Sequence, residues 1–179
     1  MVSCRAGIFT CALLYTVASG MPVSAAQCAD ETYGLADIPD APRFEDYVVP
    51  AEKLSRPASP VLVAPDAREF RTTLRQAAAK GPNFAGHFTV AVWGCGAACT
   101  DFGIVDARSG MVFFIPALRG ISTFAVVEPD GDEPEYTGLR FRTDSRLLVV
   151  LGAPREDGAR DGVAFYKWTG AGLKLLRFV

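Results

Sequence analysis

The chain has little of what a catalytic or nucleic-acid-binding protein usually displays. Histidine occurs once in 179 residues, at His87, so histidine-dependent chemistry has a single place to sit. A surplus of cations is missing: 18 Lys and Arg stand against 20 Asp and Glu, a formal net charge of −2. Phosphate backbones are held chiefly by clustered cations, so nucleic acid is not an expected partner. There is no C-x-x-C pair, no G-x-S-x-G nucleophile elbow and no EF-hand loop, and no repeat of about 40 residues that would indicate a propeller. Long apolar runs are also absent. The longest, Ala6 to Gly20, has about 15 residues, short of the roughly 20 that cross a bilayer as a helix.

That run fits an export signal instead. Arg5 precedes it, and Ser24-Ala25-Ala26 offers small residues where a signal peptidase cuts. Residues 1–26 are therefore expected to be a signal peptide, residues 27–179 a single exported domain, and the location periplasmic or secreted, with no membrane span once the signal is removed. Without Arg5 the remainder carries 17 cations against 20 carboxylates, a net of −3. Its length allows one domain with a real core.

Of the five cysteines, Cys4 and Cys11 leave with the signal. In an oxidising compartment Cys28, Cys95 and Cys99 are expected to form one disulfide and leave one thiol. Joining Cys95 to Cys99 closes a five-residue ring, contributing about 2 kcal/mol in the chain-entropy model, whereas joining Cys28 to either would contribute about 4. Gly94 and Gly96 permit a tight path. The two cysteines of Cys95-Gly96-Ala97-Ala98-Cys99 can thus approach at the end of a hairpin.

Six of the 12 prolines fall between residues 39 and 65. Proline fixes φ and removes a donor, so residues 27–65 read as an extended arm with at most a short strand at Val61 to Ala64. Phe44, Tyr47, Val48 and Val49 are its expected anchors on the domain. The clearest helix spans about 67–80. Asp66 and Glu69 have capping-box spacing, Phe70, Leu74, Ala77 and Ala78 make one apolar stripe, and Gly81-Pro82 ends it. Phe88, Val90 and Val92 then alternate with their neighbours, which predicts a strand. A second strand follows at Thr100 to Asp106. After a turn, Met111 to Ile115 reads as a central strand covered on both faces.

A further strand is predicted at Ser122 to Val127, and then an acidic loop from Glu128 to Gly138. Two hairpins close the chain, Leu139–Arg142 with Leu147–Leu151 and Val163–Trp168 with Leu173–Phe178. The predicted class is α+β: one domain, an antiparallel sheet of about six to eight strands with one main helix packed on it and a docked proline-rich arm.

The chemistry-bearing candidates are few. A Cys95/His87 nucleophile is opposed by geometry, since an extended strand between them sets the pair roughly 20 Å apart at about 3.3 Å per residue. The acidic loop lacks a calcium pattern and reads as solvated. Ser145 sits in a Thr-Asp-Ser-Arg turn. No catalytic residue, metal ligand or cofactor is assigned.

GPNFAGHF, WGCGAAC, GIVDARSG and FRTDSRLLVV together resemble an uncharacterised family of small exported bacterial proteins, over about Phe44 to Leu176. That resemblance implies export and brings no activity with it. A weaker similarity is to the periplasmic inhibitors of vertebrate-type lysozyme, which share the order strand, disulfide loop, strand ending in an Asp turn, strand. Thr89–Trp93, Cys95–Cys99, Gly103–Asp106 and Met111–Phe114 match that order. Those inhibitors insert a histidine from a longer cysteine loop, whereas Gly96-Ala97-Ala98 has no polar side chain.

The functional expectation is a non-enzymatic binding or inhibitory protein. It would present Trp93, Gly94, Cys95, Gly96, Ala97, Ala98 and Cys99 to an envelope or extracellular protein, with Trp93 as aromatic anchor. The alternatives are a thiol-redox protein or enzyme using Cys95 and Cys99, and a purely structural envelope protein.

Overall fold

In the computed structural model, residues 35, 38–123, 138–155, 157–158 and 161–179 are described. The expected signal peptide, Cys28, residues 124–127 of one predicted strand and the acidic segment Glu128 to Glu135 lie outside them. Two helices, α1 (Pro65–Glu69) and α2 (Arg71–Ala79), precede eight strands. The strands are β1 (Phe88–Gly96), β2 (Cys99–Asp106), β3 (Val112–Phe113), β4 (Ile121–Ser122), β5 (Leu139–Phe141), β6 (Leu147–Pro154), β7 (Gly162–Trp168) and β8 (Leu173–Phe178). Every pairing is antiparallel, as short connections require. The hydrogen-bonded path runs β1-β2-β4-β6-β7-β8, with β3 beside β2 and β5 beside β6. This is the expected α+β class.

The strands form two sheets that join where β4 meets the end of β6, through Ile121↔Pro154 and Ser122↔Ala153. Gly152 is required there. Its φ is +132°, and a Cβ would lie 2.1 Å from the Ser122 carbonyl oxygen, so no other residue fits without moving β4.

The apolar side chains fall into three clusters, and β6 touches two of them. Leu148 and Val150 enter the inter-sheet core with Phe84, Phe88, Phe102, Ile104 and Trp168. Leu147 and Val149 face the other way, against Phe165 and the arm residues Ile38, Phe44 and Tyr47. All eight β6 residues are buried as a result, which explains the unbroken run LLVVLGAP. The third cluster lies on the other face of β1 and β2, where Ala91 and Val105 meet Ala67, Leu74 and Ala78 of the helices.

Several expectations are corrected. The central, doubly covered strand is β6; Met111 to Ile115 contributes only the two half-buried residues of β3. The helix is broken at Phe70, whose φ and ψ of −93° and 21° end α1 and start α2. Asp66 does not cap it: the N-cap is Ala64, without a side-chain bond. The arm is docked as expected, with Phe44 and Tyr47 packed inward, but Val48 points outward, 68% exposed. No strand forms at Val61 to Ala64. Main-chain bonds stitch the arm down instead, Val49 N to Asp144 O (2.9 Å), Glu52 N to Gly86 O (2.9 Å) and Ala58 N to Ala107 O (2.7 Å). Buried Ser145 belongs to this docking, donating its hydroxyl to Phe44 O at 2.8 Å.

Candidate functional site

The β1–β2 hairpin runs further than the alternating pattern predicts. Pairing continues through Gly94↔Thr100 to Gly96↔Cys99, with a bulge between Gly94 and Gly96. Only Ala97 and Ala98 are left to turn the chain, and Ala98 does so at a φ of +50°. Positive φ is uncommon for a residue with a Cβ. Two covalent and polar restraints hold it: the Cys95–Cys99 disulfide, with Cα atoms 5.1 Å apart, and two bonds to the Ala98 carbonyl. Thr123 supplies both, from its N at 2.8 Å and its Oγ1 at 3.3 Å. Gly94, Cys95, Gly96, Ala97 and Ala98 are all exposed, and Cys99 is half-buried.

Trp93, expected to join this surface, faces the body of the protein. Its ring stacks on Phe70 at 4.3 Å and meets Phe114 edge-on at 6.4 Å. Its Nε1 is buried with no hydrogen-bond partner among the described residues. Directly across β2 is Asp101, 4% exposed. Arg119 holds that carboxylate, Nε to Oδ2 at 2.7 Å, and reaches Asp66 Oδ2 with Nη1 at 2.6 Å. The same guanidinium lies 5.9 Å from the Phe70 ring centroid and 5.8 Å from that of Phe114. Burial opposes its charge, yet the bonds it donates to Asp101 and Asp66 outweigh this and raise its pKa above the ordinary value. Trp93, Phe70, Phe114, Arg119 and Asp101 thus form a packed footing beneath the exposed turn. Nothing in the local pattern of β1 revealed it, because Arg119 and Phe70 arrive from other elements.

At the opposite end of β1, the structure builds a cluster around His87. Nδ1 lies 3.3 Å from Glu52 Oε1, and Nε2 3.7 Å from Asp106 Oδ1. Arg108 grips Glu52 with Nε and Nη2. The Ser109 hydroxyl donates to Asp106 Oδ2 at 2.7 Å, so it is committed to the carboxylate and not to His87, and the two form no Ser-His relay. The cluster ties the arm to the Asp106 turn. Arg142 repeats the arrangement, joining Glu45 of the arm (2.7 Å) to Asp144 (2.9 Å). His87 was visible in the sequence, but its partner Glu52 comes from a distant segment.

These carboxylates are expected to make the docking of the arm sensitive to acid. The Arg108 bonds hold Glu52 below its ordinary value of 4.5, and Glu45 is lowered by a backbone bond and by Arg142. At Asp106 burial opposes ionisation, but bonds from Ser109 and the Arg108 main chain, with the His87 charge, still lower it below 3.8. A depressed folded-state pKa contributes stability above the unfolded value and loses it as pH falls through the folded value. Exchange of the Val49 and Glu52 amides is therefore expected to be independent of this effect above about pH 5 and to accelerate relative to the β6 amides below about pH 4. Glu52→Gln should flatten that difference in a hydrogen-exchange series.

Among the described residues no three His, Cys, Asp or Glu side chains are grouped to hold a metal ion, and no helix is long and apolar enough to cross a membrane. Compared with protein-family models, curated proteins and solved structures, the chain matches none.

Proposed function

We propose that this is an exported, periplasmic or secreted binding or inhibitory protein without enzymatic activity, whose contact surface is the hairpin tip Gly94 to Ala98. The observation that carries the reading is five consecutive exposed residues closed by a disulfide and anchored through Thr123. A surface held rigid before binding loses little conformational entropy on association. The tip offers shape and main-chain groups, since Gly96, Ala97 and Ala98 have no polar side chain to insert into a partner's active site. Trp93 supports the tip from below.

Capture from an envelope extract tests this. Ala97→Arg, which keeps the disulfide and the Thr123 bonds, is expected to lose a saturable partner with its melting curve unchanged. Equal recovery by both forms rejects the tip. Removing the ring with Cys95→Ser and Cys99→Ser should cost about 2 kcal/mol in denaturant unfolding and weaken the same capture. A thiol-redox role predicts instead that the disulfide exchanges in glutathione buffer; the binding role predicts that it stays oxidised.

A further inference from the structure

Among the described residues, the outer edge of β1 is protected along half its length and open along the other half. Phe88 and Val90 turn their main-chain groups away from β2. Phe88 N donates to Phe84 O at 2.9 Å, and Phe84 N returns a bond to Phe88 O at 2.9 Å. Two residues on, the Asn83 side chain stands in for a neighbouring strand: Val90 N donates to its Oδ1 at 2.7 Å, and its Nδ2 donates to Val90 O at 3.1 Å. There the substitute ends. By two-residue alternation Val92 and Gly94 turn their N–H and C=O groups to the same side. Among the described residues, no hydrogen bond from outside the β1–β2 ladder reaches them. Open edges are a liability that proteins usually cover or charge, and here the covering stops short of the exposed tip.

Beside Val90 and Val92 lies a groove of about 470 Å³. Thr73, Gln76 and Lys80 line it from α2 and its C-cap, and Phe141 of β5 from the other sheet. A chain added to this edge would send successive side chains to opposite faces, one set toward Lys80 and the other toward Phe141. Lys80 is the one charged residue among the described residues lining the groove, and it has no ion pair among the described residues. Charge complementarity therefore favours acid on the Lys80 side.

We propose that the β1 edge at Val92 and Gly94 is a strand-addition site for an extended polypeptide segment of a partner, with apolar and acidic side chains alternating. The surface shares Gly94 with the hairpin tip and is otherwise built from Val92 and the groove beside it, so different variants test the two.

The test is selection of random peptides of about twelve residues, displayed on phage, against the full chain. Enriched peptides are expected to alternate apolar residues with Asp or Glu. Synthetic versions should slow exchange of the Val92 and Gly94 amides by about tenfold or more. Lys80→Glu, and Val92→Pro, which deletes one outward donor, should each weaken the peptide about tenfold. Ala97→Arg should leave its affinity unchanged. The exchange measurement uses the unsubstituted chain, so misfolding of Val92→Pro does not hide the answer. Failure to enrich any peptide, or enriched peptides that bind without protecting those two amides, overturns the strand-addition site and leaves the hairpin-tip reading untouched.

Discussion

Truncating Trp168 to Ala is expected to lower the free energy of unfolding by about 3–5 kcal/mol, the range for removing a large aromatic from a well-packed core. Trp168 is 1% exposed and sits where the two sheets face each other. Its ring meets Phe84 at 6.2 Å, Phe88 at 5.1 Å and Phe113 at 5.4 Å, all tilted or edge-on, geometries that add to the burial term. Three elements therefore lose contacts at once. The indole Nε1 has no hydrogen-bond partner among the described residues, so Trp168→Phe forfeits volume and none of the described polar contacts and should cost about half as much. Urea denaturation followed by far-UV circular dichroism measures both. A Trp168→Ala midpoint shift equivalent to about 1 kcal/mol or less would show that the inter-sheet core collapses around the gap.

The second large effect is electrostatic. Arg119→Met is expected to cost about 3–5 kcal/mol, because it strands the Asp101 carboxylate in the interior without its partner. Asp66, the other arm of the pair, has a side chain 44% exposed against 6% for Asp101, so Asp66→Ala should cost less than about 1 kcal/mol. Adding Asp101→Leu to Arg119→Met removes the uncompensated charge, and the double variant should recover much of the loss. A double-mutant cycle in urea checks this; additive costs would mean that Asp101 and Arg119 are not coupled. The same variant also removes the cation above Phe70 and Phe114. Faster exchange of the amides flanking Trp93 should accompany the loss, since the footing of the exposed hairpin tip is what Arg119 holds together.

How much of this was legible beforehand depends on the range of the interaction. Alternation in Phe88 to Val92, the two C-terminal hairpins and the helix stop at Gly81 were readable because each is carried by residues within a few positions of one another. The Cys95–Cys99 ring was readable as one of the possible pairings for the same reason, since the two are four apart with glycines beside them, and the structure selects it. Phe70 was read as one more member of a helical stripe, but its ring follows Trp93 and the helix breaks there. Met111 to Ile115 looked more central than it is, because an apolar run reports burial without saying which strands flank it. Trp93 looked like an exposed anchor because its inward neighbours, Phe70 and Phe114, come from outside the hairpin.

By itself, the sequence determined the local periods, the turn positions, the cysteine hairpin and the α+β class, all consequences of backbone preference and side-chain alternation over short spans. Only the tertiary structure decided which strand is shared by two sheets, where Trp93 points and which charges are paired. Arg119 meets Asp101 across 18 positions and Asp66 across 53, and Arg108 meets Glu52 across 56. Such contacts depend on how the sheets close on one another, and no local pattern encodes that closure. The exposed hairpin tip and the open edge of β1 are its product: among the described residues they are what the docked arm, Asn83 and the second sheet leave uncovered.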